Sequence, residues 1–191
     1  MSIVLDIGQG AGLASATGVR PFLPPLLAGA LARGDIGIDF DDSGWQFLES
    51  PAFLVIVLAL AVAAYLAERG GVDRRTLLIA TTTVAAVLGG MLFAGSLAAG
   101  DGPPVAGLVG GVACAVLAAL AVGGVFERAA KRLDDSAAGL LLVYADIAAL
   151  VLAAIAIFVP PVAFLAVIAF VVLLIRGSGG GDEKYAGLRI L

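Results

Sequence analysis

GLASATGVRPFLPPLLAGALAR, residues 12–33, carries an arginine, a Gly-Val-Arg-Pro break and three prolines inside a stretch apolar enough for lipid. Its backbone chemistry decides the fold. Pro21 removes an amide donor and disfavours helical geometry at Arg20, Gly18 loosens the chain just before it, and Pro24 and Pro25 free further carbonyls one turn later. The helix is expected to stop near Thr17 and restart at Pro21. In a hydrocarbon layer such irregular backbone is tolerated only where protein or a wet cavity surrounds it. The restarted half-helix, Pro21 to about Arg33, would turn an N-terminus with partial positive charge into the middle of a bundle, and Arg20 adds a full charge there. Transporters use discontinuous helices in this way to hold anions near the bilayer midplane.

Composition supports a chain that uses lipid as solvent. Of 191 residues, 61% are hydrophobic and 14% charged, with a mean hydropathy of +1.11, more apolar surface than a soluble domain of this length can bury. The net charge of -4 offers no basic face, which excludes nucleic acid as a partner. No histidine is present and the one cysteine, Cys114, lies in an apolar run. A zinc site, a disulfide framework, a Ser-His-Asp triad or a Cys-His pair therefore cannot be built within one chain. No enzyme, cofactor or metal is expected, and Cys114 reads as a small packing residue.

Apolar runs cover 3–32, 51–67, 76–99, 104–126, 137–158 and 161–175. They predict an all-α polytopic membrane protein of about six transmembrane helices, the first of them broken, since a straight helix over 3–32 would be about 45 Å long. Ala14-Ser15-Ala16 has the form of a signal cleavage site, but the stretch before it lacks Lys and Arg, contains Asp6 and is interrupted by Gly8, Gly10 and Gly12, so it reads as retained. The transmembrane domain is taken as 1–176 and a flexible cytoplasmic tail as 177–191.

Charge assigns the sides. Nine of eleven Lys and Arg lie in the connectors 68–75 and 127–136 and from Arg176 to the end of the tail, which with six spans makes both termini cytoplasmic in an inner membrane. The loop from Gly34 to Ser50 holds Asp35, Asp39, Asp41, Asp42 and Glu49 without a basic residue, and its Trp45 and Phe47 suit the headgroup layer of the outer face. The competing topology makes residues 3–33 a re-entrant hairpin broken at Gly18, with the N-terminus outside.

Asp101 to Pro104 and Val159 to Val162 read as tight turns that open the next helix. Gly8 with Gly12 and Gly107 with Gly111 have the small-residue spacing that lets helices approach closely. "ALAVAAYLAER" (59–69) and "ALAVGGVFER" (119–128) echo one another weakly, either as a duplicated helix pair or as the chance product of an Ala-Leu-Val-rich chain.

An arginine deep in a span is expensive and marks a functional position. Its expected partner is Asp146, the acid deep within the last five spans and at a matching depth. Tyr144, Ser15, Thr17 and the run Thr81 to Thr83 are candidates to surround the pair with hydroxyls, Gly18 to open the backbone, and Asp6, nearer the inner surface, to cap the helix or face the interface. The candidate ligand-binding set is thus Ser15, Thr17, Gly18, Arg20, Tyr144 and Asp146.

At these residues the chain resembles a bacterial integral-membrane family known as domain of unknown function 4126. The likeness rests on Gly12, Ser15, Gly18, Arg20, Phe22, Pro24 and Arg33 and on the closing DEKYAGLRIL, while LAERGGVDRR departs from the family pattern. The resemblance implies a small polytopic inner-membrane protein and supplies no activity. Two functions stay open: a channel or transporter for a small anion, ion or metabolite, and a noncatalytic scaffold whose tail docks a partner through Tyr185, Leu188 and Ile190. The lipid bilayer is the common partner, and association between copies stays open.

Overall fold

The proline-rich break divides the first apolar run into two helices, α1 (Ile3–Val19) and α2 (Leu23–Ala32). A 3-10 turn at Gln46–Glu49 follows, then α3 (Pro51–Arg69), α4 (Arg74–Ala99), α5 (Pro104–Ala130), α6 (Asp135–Phe158) and α7 (Pro160–Ser178). The computed structural model describes residues 3–41, 43–130 and 135–178. Among them there is no strand, as an all-α fold requires. The tail residues Tyr185, Leu188 and Ile190, the connector's Lys131 and Arg132, and Asp42 lie outside the described residues.

Local chemistry sets most helix ends. Ser50 caps α3 by accepting from the Phe53 amide at 3.2 Å, with Pro51 in the first turn, where no donor is needed. Asp73 caps α4 through the Thr76 amide at 3.2 Å. The expected turn before Pro104 is present, with Asp101 in the left-handed region at φ 59°, and a single residue, Val159, separates α6 from α7.

α1 is the central helix, packed against α4, α5, α6 and α7. Its neighbours alternate in direction. Asp6 lies beside Gly100, Gly10 beside Phe93 and Ala14 beside Gly89, so α4 runs antiparallel to α1. Gly12 meets Ala156 while Arg20 meets Asp146, so α6 is antiparallel too. Gly8 against Pro160 and Gly12 against Ala163 make α7 parallel. α5 is also parallel to α1: it enters with Gly107 on Ala94, continues with Gly111 on Gly89 and Gly90, and reaches Gly18 at Ala115. A Cβ on Gly111 would stand 2.5 Å from the Gly89 carbonyl oxygen, so here the small residue is required by the close approach of two backbones.

The path of α2 corrects the expectation of one broken span. Gln9, early in α1, donates its side-chain amide to the Gly37 carbonyl at 3.1 Å, and Gly37 lies just past α2. The chain therefore runs down α1, turns at residues 20–22 and comes back along α2 to the end it started from. Residues 3–32 form a helical hairpin, so Ile3 and the C-terminal end of α7 lie at opposite ends of the bundle. The physical reason is tertiary: Gly29 of α2 seats on the Leu48 carbonyl, and Ala28, Ala32, Phe40 and Leu48 share one core with Leu13 and Ala16 of α1.

The outer surface is apolar. Val105 is 72% and Val109 65% exposed, whereas among the described residues four of the five buried polar side chains, Asp6, Gln9, Ser15 and Thr17, belong to α1. Among the described residues two segments, Arg75–Ala99 and Pro104–Phe126, are long and apolar enough to cross a membrane, and only 39% and 28% of their most apolar windows are buried. A soluble core helix would be mostly covered. The segments Pro51–Ala67, Leu142–Phe158 and Pro160–Arg176 are apolar and shorter. The helices of the sequence echo occupy unlike places: α5 is packed on α1, α4 and α7, and α3 sits at the periphery.

Candidate functional site

The hairpin tip projects between helices that continue well beyond it. Gly18 is level with Ala115 and Ala118 of α5, and Arg20 is level with Asp146 of α6. About ten further residues of each helix, roughly 15 Å, extend past this level. The tip therefore lies near the middle of the bundle's long axis.

There the Arg20 Nε stands 2.5 Å from Asp146 Oδ1, and Arg20 Nη2 donates to the Leu142 carbonyl at 3.1 Å. Nε itself is covered and has no aligned hydrogen-bond partner, so the contact is an ion pair in close approach. The side chains are 24% and 41% exposed, which leaves the pair reachable from the flank along α6. A guanidinium has five N–H donors, and this geometry engages one edge of it.

Backbone donors contribute less than the sequence suggests. α2 begins at Leu23 without a side-chain cap, with prolines in its first turn, and its first in-helix bond runs from the Leu26 amide to the Phe22 carbonyl at 3.2 Å. Of the four preceding positions, Pro24 and Pro25 have no N–H. The helix end therefore offers two amides, from Phe22 and Leu23, and positive character at the tip comes mainly from Arg20.

The structure brings Arg20 and Asp146 together and separates them from the other candidates. Thr17 is buried and its hydroxyl donates to the Leu13 carbonyl at 2.8 Å. Ser15 is buried on the α5 side, next to Cys114, and its Oγ has no hydrogen-bond partner. Gly18 serves close packing on α5. Tyr144 is 69% exposed because two residues along a helix rotate a side chain by about 200°, away from the face of Asp146. Thr81 and Thr83 donate to the Leu77 and Ile79 carbonyls of their own helix at 2.9 and 2.8 Å. Asp6 is buried at 4% exposure against Gly100, at the end of α4.

A second polar site escaped sequence reasoning. At the end of the bundle where α1 begins, a pocket of about 550 Å³ is lined by Arg33, Asp35, Asp41, Gln46, Glu49 and Ser50. The acidic loop signalled charge there, but which of its residues converge depends on the turn at Asp35 and Gly37, with φ of 54° and 74°. The carboxylates of Asp35, Asp39 and Asp41 gather within 4.8 Å of one another on the surface. Burial, then the hydrogen bond to Asp41, then the negative charges of Asp41, Asp39 and Asp35 raise the Glu49 carboxyl above its usual 4.5. An acid raised on folding contributes stability that is complete below its unfolded value and is lost as pH rises through the folded value. Glu49→Gln is therefore expected to unfold at a higher temperature than the parent at pH 7, with the difference vanishing below about pH 4, as thermal melts across that range will show.

The family model described as a domain of unknown function, DUF4126, matches residues 7–178. The chain belongs to this family. Neither a curated protein nor a solved structure matched it. The matched region of this DUF4126 protein contains the hairpin from Ile7 onward and Asp146, and the closing DEKYAGLRIL falls beyond it.

Proposed function

We propose that this DUF4126 protein is an inner-membrane channel or carrier for a small anion, with Arg20 as the anion-holding group and Asp146 as its competing intramolecular partner. The observation that carries the reading is the charged pair at the tip of a folded-back helix, halfway along the bundle. A pair in that position is expensive in lipid and unnecessary for a bundle whose other contacts are small and apolar. An anion that displaces Asp146 from Arg20 would be exchanged at mid-depth.

The reading has a definite topology. α3 to α7 cross the membrane and α1 with α2 re-enters it from the acidic end. The end with Arg33, Asp35, Asp39, Asp41, Glu49 and Asp101 faces outward, and the end with Arg69, Arg74, Arg75, Arg128 and Arg176 faces the cytoplasm. This replaces six spans with cytoplasmic termini. In a Cys114→Ala background, Ile3→Cys is expected to react with an impermeant maleimide in intact spheroplasts, and Val72→Cys only after lysis. The reverse pattern contradicts the orientation. The function itself is tested by flux of chloride, nitrate or phosphate into proteoliposomes, expected to need Arg20.

A further inference from the structure

We infer that the acidic end of the bundle holds the headgroup of an amine-bearing, zwitterionic phospholipid, with one acyl chain lying in the groove between α3 and α4. Two cavities adjoin there and share Phe47 and Ser50. The charged one, described above, opens at the surface. The other, about 430 Å³, is lined by Phe47, Ala52, Phe53, Ile56, Leu88 and Met91 among others and is almost wholly apolar. On α3 its lining runs from Ala52 to Leu60, a descent of roughly 12 Å from the acidic end toward the bundle's middle. Polar above, apolar below and continuous between, the pair of cavities has the polarity of a lipid with its head at the surface.

Charge selects the headgroup. Arg33 lines the polar cavity together with Asp35, Asp41 and Glu49, yet among the described residues no carboxylate lies within ion-pair distance of it. One unpaired guanidinium suits a phosphate, which Arg binds as a planar fork. Glu49 Oε1 is covered and has no hydrogen-bond partner, and with its neighbouring aspartates it suits a primary ammonium carrying three N–H donors. A purely anionic lipid would meet three acids. A choline headgroup would bring a cation with no N–H to donate. The apolar groove explains why α3 packs only loosely against α4: the chain of a lipid completes that contact.

The inference shares the membrane orientation with the proposed function but not the role of Arg20. It is tested on the full chain in detergent, by thermal melts and by native mass spectrometry, with dioleoyl phosphatidylethanolamine, phosphatidylcholine and phosphatidylglycerol at equal mole fraction and with glycerophosphoethanolamine alone. Retention of phosphatidylethanolamine at least ten-fold above the other two lipids, a rise in melting temperature with it alone, and no effect of the free headgroup are expected. Asp41→Asn with Glu49→Gln should abolish the preference while the protein still melts cooperatively, and Ile56→Trp, which fills the groove, should lower retention of phosphatidylethanolamine. Equal retention of all three lipids, preference for phosphatidylglycerol, or binding of the free headgroup as strong as that of the lipid overturns the inference. Outward labelling at Ile3→Cys together with any of these leaves the membrane orientation standing and removes the lipid site alone.

Discussion

Gly18→Val is expected to be among the most damaging single substitutions in the bundle, lowering stability by more than 3 kcal/mol. A Cβ on Gly18 would run into the Ala115 carbonyl oxygen and stand 2.9 Å from the Ala118 Cβ. The obstruction is backbone of a packed helix, which cannot move aside as a flexible side-chain tip would. Ordinary overpacking costs about 1–3 kcal/mol, and here the hairpin tip and α5 must separate, exposing the interface around them. The opposing effect is small, because replacing a helical glycine gains at most about 1 kcal/mol of propensity. Gly123→Ala provides the contrast: also helical, in α5, it has nothing within 4 Å of the added Cβ, and should be neutral or stabilising by up to about 1 kcal/mol. Thermal or denaturant unfolding in one detergent compares the two directly. Equal effects at the two positions would mean that α1 does not press on α5 as described.

The same region shows how far the sequence could be read. The break near Gly18 to Pro21 was legible because it is local: proline deletes donors and restricts its predecessor whatever surrounds it. The direction in which α2 leaves was not legible. A proline break specifies where helical hydrogen bonds stop, and the angle of departure depends on contacts such as Gln9 with Gly37 and Gly29 with Leu48, made between residues far apart in sequence. The charge pattern set the basic connectors apart from the acidic loop, and the helix directions put them at opposite ends of the bundle, but near the first helix there is no Lys or Arg before Arg20. With nothing to count there, the rule assigned the N-terminus by assuming that residues 3–32 cross once.

Depth counting worked for Arg20 and Asp146 because each has one position along its helix and few charged competitors. It failed for Tyr144, where the face of the helix decides and depth does not. Ser15 and Thr17 were placed at the right height on α1, but a helix that is buried on every side gives each face to a different neighbour. Thr17 turned to its own backbone, and Ser15 to α5. The pocket around Arg33 and Glu49 required the loop's turns, and its partner groove required knowledge that α3 stands off from α4.

Arg20→Leu and Asp146→Leu are each expected to destabilise the protein by more than about 2 kcal/mol, and the double substitution by less than about 1. Removing one partner of a buried pair leaves the other with its full desolvation cost, typically about 3–5 kcal/mol, whereas pairs facing water are worth about 0–1. With side chains 24% and 41% exposed, this pair falls between those limits if its open flank is wet and near the upper one if lipid covers it. Its location halfway along the bundle favours the upper part of the range. The double-mutant cycle isolates the coupling because neither leucine adds a polar contact of its own. Function separates from stability in the same three proteins. The double variant should fold and fail to move anion, since among the described residues no other charged donor stands at the tip beside the Phe22 and Leu23 amides. Asp146→Asn keeps a neutral partner beside Arg20 and, with no carboxylate competing for the guanidinium, should still move anion. Additive losses would dissolve the pair as an energetic unit, and undiminished flux in a folded double variant would remove Arg20 from the path and leave the bundle as a scaffold.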